Sequence, residues 1–75
     1  MDIFKIVVNE AGTLDRYVDG QIFYDKGAAC IYADEIAKEG AWDDHEISSV
    51  HVYRETPEND GRFRTIGEVA KFEIV

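Results

Sequence analysis

Six carboxylates crowd one short stretch of the chain. Asp34, Glu35, Glu39, Asp43, Asp44 and Glu46 fall in the segment DEIAKEGAWDDHE, whose single base is Lys38, and this segment carries −5 of a total formal charge of −8. Carboxylates spaced a few ångströms apart can meet a basic groove, imitate the phosphates of a duplex, or hold a divalent cation. The cation reading needs a cage such as the calcium loop D-x-[DN]-x-[DN]-G-x₅-E, and Asp43, Asp44, His45 and Glu46 have neither its spacing nor its glycine. Zinc is no better served, because Cys30 is the only cysteine and neither His45 nor His51 stands at ligand spacing from it. No metal and no cofactor is therefore expected. A solvated acidic surface is the plain alternative to a docking face.

Other reactive residue types are present without the pattern that would make them work. Ser48, Ser49 and His51 are neighbours in sequence, but a nucleophile needs a base and a third group to orient it, and an alternating strand would leave these three as sheet surface. Cys30 between Ala29 and Ile31 reads as a small packed hydrophobe rather than an activated thiol. Gly12, Gly20 and Gly27 match neither glycine pattern that cradles phosphates. The expectation is a protein without catalysis. For binding, Trp42 is the residue of interest, since it lies in the acidic segment and tryptophan is enriched among residues that dominate interface energy. The competing reading folds it back over the core. Tyr53, Arg54, Arg62 and Arg64 form a basic and aromatic counterpatch, in which Arg54 and Arg62 would pair with Glu55 and Glu58.

The elements that must position these residues can be read from the pattern. Ile3 to Val8 is a β-branched run followed by the turn residues Asn9 to Gly12. Arg16 to Tyr24 reads as one strand antiparallel to the first with a bulge at Asp19-Gly20, or as a hairpin of its own. Asp25 is an N-cap, and Lys26 to Glu39 is an alanine-rich helix with Ala29, Tyr32, Ala33 and Ile36 on one face and Gly40 as its stop. A loop over Ala41 to Asp44 leads to a strand from Ile47 to Thr56, with Val50 and Val52 on one face and His51 and Tyr53 on the other. The turn PENDG precedes a last strand, Arg62 to Thr65 and Val69 to Val75, bulged at Gly67. The fold class is α+β: one helix packed on a small, mostly antiparallel sheet in the order β(β)αββ.

Length and composition limit what such a domain does. Residues 1–75 have room for a single core, and a domain of this size buries only about 60% of the surface its unfolded chain exposes, which leaves little space for a deep substrate pocket. One cysteine gives no internal disulfide, which favours a reducing, cytoplasmic setting. No segment approaches the roughly 20 apolar residues that span a bilayer, and the start lacks a signal-peptide pattern. The acid excess disfavours direct contact with nucleic acid or an anionic membrane and favours a protein partner with a basic surface. The chain is expected to be a monomer or homodimer.

A short acidic chain without catalytic residues, one helix on a small sheet, and the stretch VYRET at Val52 to Thr56 within VHVYRETPENDGRF together resemble the small phage-encoded anti-CRISPR inhibitors of type I systems. That resemblance implies stoichiometric inhibition: binding of a CRISPR effector complex in the host cytoplasm and exclusion of its target DNA, in some cases as a DNA mimic. On the charge map of this chain, Asp34, Glu35, Glu39, Asp43, Asp44 and Glu46 would fill the nucleic-acid channel and Trp42 would anchor the contact. The alternative expectation is a phage or bacterial structural or assembly module that self-associates through an edge strand.

Overall fold

The computed structural model describes residues 1–74. Five strands and one helix run in the order β1 (Ile3–Glu10), β2 (Arg16–Phe23), α1 (Lys26–Glu39), β3 (Ala41–Trp42), β4 (His45–Pro57) and β5 (Phe63–Glu73). All pairings are antiparallel: β2 on β1, β1 on β4, and β4 on both β3 and β5. The α+β fold is as the sequence indicates, with one strand more than its pattern suggests. Residues 16 to 23 form a single strand and not a separate hairpin.

Alternation along the strands decides where the core lies. Phe4, Ile6 and Val8 of β1 and Val50 and Val52 of β4 point to the side covered by α1, where they meet Ala29, Ala33 and Ile36. Small residues at 29 and 33 let the helix backbone lie close to the sheet. Cys30 is half-buried against this core as an apolar filler. Both ends of α1 are capped as the pattern requires. The Asp25 carboxylate accepts from the Ala28 N–H at 2.9 Å, and Gly40 takes the left-handed conformation (φ 70°) so that its N–H reaches the Ile36 and Ala37 carbonyls.

Two local departures from regular pairing position the acidic segment. In β2, Asp19, Gly20 and Gln21 lie opposite the single residue Ile6, a wide bulge that turns Asp19 inward. After the helix, the expected loop is instead a tight hairpin, with Ala41 paired to Glu46 and Trp42 to His45. Asp43 and Asp44 at its tip both have positive φ (44° and 66°), the geometry of a type I′ turn, which aspartate tolerates better than most residues. Trp42 is therefore in a strand and not in a loop, and β4 begins at His45. In β5 the register shifts on both sides of Gly67, where a bulge is expected from the sequence.

Candidate functional site

The acidic hairpin is fastened to the rest of the fold through one buried carboxylate. Asp19, only 9% exposed, accepts from the Gln21 N–H at 2.8 Å, the Tyr32 hydroxyl at 2.9 Å and the Trp42 indole Nε1–H at 2.7 Å. The bulge of β2, the middle of α1 and the strand β3 thus converge on one side chain. Burial, reinforced by the Asp19 carboxylate, pushes the Tyr32 phenol up to about 12, so it stays a donor at any physiological pH. Tyr17, Trp42 and His45 form a three-ring cluster, with the Tyr17 centroid 5.7 Å from Trp42 and 4.7 Å from His45 and the latter two 6.4 Å apart, and His45 Nδ1 lies 2.5 Å from the Glu10 carboxylate. Trp42 is folded back over the core edge and half-buried. Its indole N–H is already used.

With this support, four of the seven residues singled out from sequence come together. Glu35 and Glu39 from α1 and Asp43 from the turn surround Tyr32, Ile36, Ala41 and Trp42, lining a shallow depression between helix and hairpin. None of these three carboxylates has an ion-pair partner among the described residues, and the same holds for Asp44 and Glu46. Asp44 is exposed at the tip of the turn. Glu46 shares the face of Ala41, opposite to that of Trp42, so it flanks the depression without lining it. Asp34 is turned away and pairs with Lys38 at 3.0 Å, one helical turn along. Among the described residues no group of three or more His, Cys, Asp or Glu side chains is placed to hold a metal ion. No family model, curated protein or solved structure matches this chain.

The opposite face of the sheet holds a polar chain that the sequence does not announce. Ser49 and His51, expected on the sheet surface, are each only 6% exposed. Ser49 Oγ lies 2.9 Å from His51 Nε2, the other ring nitrogen of His51 contacts the Glu68 carboxylate, and the Asn9 amide nitrogen lies 3.1 Å from both Ser49 Oγ and His51 Nε2. The connectivity is that of a nucleophile, base and orienting acid. The Asn9 amide sits against both the hydroxyl and the base, and Ser49 and His51 are nearly covered while Asn9 is half-buried and Glu68 reaches the surface, so the chain reads as a satisfied network at the edge of the sheet face.

The counterpatch on the second hairpin also pairs differently from expectation. Arg54 reaches across to Asp2, Arg62 to Asp60 within the turn, and Arg64 to Glu58. Glu55 is taken by Lys5 at 3.2 Å and by the Thr65 hydroxyl at 3.0 Å. Sequence spacing points Arg54 at its own neighbour, whereas the register places Arg54 beside Phe4 of β1, within reach of the chain start. Asp19 is the other residue missed. Its signal is the Asp-Gly pair inside a strand pattern, which marks a bulge but not the direction the carboxylate turns.

Proposed function

We propose that this chain is a non-catalytic binding protein that sets its acidic helix-and-hairpin face against a basic, nucleic-acid-binding surface of a protein partner. The observation that carries this reading is the depression in which Glu35, Glu39 and Asp43 stand unpaired around Tyr32 and Trp42, with Asp44 projecting beside them. Carboxylates left without internal ion-pair partners are free to meet an incoming cation. The Asp19 contacts hold the hairpin so that little ordering is needed on binding. Following the resemblance to type I anti-CRISPR inhibitors, the partner is a CRISPR effector subunit in the host cytoplasm and the effect is competition with DNA. Trp42 contributes the flank of its ring and not its N–H.

Self-association through an edge strand has less support. The β2 edge is broken by the bulge at Asp19 to Gln21, and β5 is bulged twice, both devices that discourage strand addition.

The test is affinity capture from a bacterium with an active type I system, at low and high salt, with Glu35→Lys/Glu39→Lys as the comparison. Effector subunits recovered at low salt and lost with the charge reversal are expected. Recovery only of copies of the same chain, insensitive to salt, would transfer support to the assembly module.

A further inference from the structure

Arg16 stands out in a chain with twice as many acids as bases. It is the one arginine with no carboxylate within 4.0 Å among the described residues, although Arg54, Arg62 and Arg64 each have one. It is nonetheless held in place. Its Nε–H donates to Asn9 Oδ1 at 3.0 Å, its Nη2 donates to the Tyr53 hydroxyl at 2.8 Å, and the guanidinium carbon sits 5.8 Å from the centre of the Tyr53 ring. A guanidinium has five N–H donors, so both on Nη1 and one on Nη2 remain free. Asn9 is itself fixed by the network through Ser49, His51 and Glu68. This largely buried polar chain thereby orients an exposed cation.

Arg16 lines the mouth of a depression on the helix-free face of the sheet, together with Lys5, Val7, Val18, Tyr53 and Thr65. Val7 pairs with Val18 and alternates with the core residues Ile6 and Val8, so both valines present apolar surface on the side away from α1, and Val18 is 58% exposed. The one carboxylate in the depression, Glu55, is ion-paired through Oε1 with Lys5 and accepts at Oε2 from the Thr65 hydroxyl, its Oε1 having no further hydrogen-bond partner among the described residues. The local balance is two cations against one engaged acid.

We propose that this depression binds a small organic carboxylate with a compact apolar body. The free Nη1 and Nη2 donors of Arg16 match the two oxygens of a carboxylate, the Lys5–Glu55 pair leaves Arg16 as the uncompensated charge, and Val7 and Val18 receive the apolar part. A nucleobase is disfavoured, because the Tyr53 ring is flanked by Arg16 and by His51, whose ring lies at 6.2 Å. The site is on the opposite side of the sheet from the acidic depression and does not depend on it.

The experiment is a titration of the ¹⁵N-labelled protein with sodium phenylacetate, followed by amide and arginine Nε–H shifts, with phenethyl alcohol as the neutral comparison. Saturable shifts confined to Val7, Arg16, Val18 and Tyr53 are expected for phenylacetate and not for the alcohol. Arg16→Gln should weaken binding by about tenfold or more, since it removes a charged hydrogen-bonding fork. Lys26→Gln, which removes an exposed cation at the start of the helix, should leave it unchanged. Should Arg16→Gln perturb the fold, Val18→Glu, which places a like charge in the depression at an exposed position, is expected to abolish the shifts. No saturation at millimolar probe, equal response to the alcohol, or binding that survives both variants would each overturn the proposal.

Discussion

Replacing Asp19 with alanine would remove one carboxylate and leave three donors without an acceptor: the Gln21 N–H, the Tyr32 hydroxyl and the Trp42 indole N–H. A hydrogen bond to a charged group contributes about 1.5–3 kcal/mol net. The Tyr32 and Trp42 rings are half-buried, so water can recover part of the loss, and the three bonds share one acceptor and do not simply add. The expected cost is about 3 kcal/mol. Set against a total of about 4–11 kcal/mol for a chain of this length, that is a large fraction, and it corresponds to a fall in Tm of about 12–24 °C. Urea unfolding followed by far-ultraviolet circular dichroism, a signal that survives the loss of Trp42, the only tryptophan, measures it directly. Trp42→Phe keeps most of the stacking area and drops the N–H. The double-mutant cycle between the two positions should then give a coupling of about 1–2 kcal/mol. If Asp19→Ala costs less than about 1 kcal/mol, or if the two changes are additive, Asp19 does not fasten the hairpin and the acidic face has no rigid support.

Two more outcomes are expected from the same geometry. Asp43→Asn/Asp44→Gly suits the two positive-φ positions better than the native pair and should raise stability by about 0.5–1 kcal/mol while removing two charges, so that a stabler protein binds its basic partner more weakly; thermal melting and affinity capture on the same samples check this. Tyr32, with its phenol pushed up to about 12, should ionise in absorbance only at strongly alkaline pH. Its folded value is above the unfolded one, so the folded state binds more protons between about pH 10 and 12 and stability falls as pH rises through that window; Tyr32→Phe should flatten the fall.

The helix is legible in the sequence because every signal agrees: Asp25 at one end, Gly40 at the other, and an apolar stripe through Ala29, Ala33 and Ile36 between them. The long strands are legible too, since Val50 and Val52 alternate with His51 and Tyr53 and the structure puts the valines in the core. Strand β3 escapes because two residues carry no period, and its turn is Asp-Asp and not the Asn-Gly that announces such hairpins. The acidic face is visible as composition, but composition cannot separate Asp34, which turns to Lys38, from Glu35 and Glu39, which turn to the hairpin. Ser49 and His51 read as exposed because a strand pattern gives the face and not what lies across it; Asn9 and Glu68 arrive from β1 and β5.

The pairing of β1 with β4 has a consequence for the order in which the molecule assembles. It joins Ile3 to Glu55, more than two thirds of the chain apart, whereas the β1–β2 and β4–β5 hairpins and the Asp19 contacts close over much shorter loops. Closing the long loop costs the most chain entropy, and that cost is offset only when both hairpins already present ordered edges. On that cost the central seam of the sheet, the most buried part of the finished protein, is expected to be the last to zip.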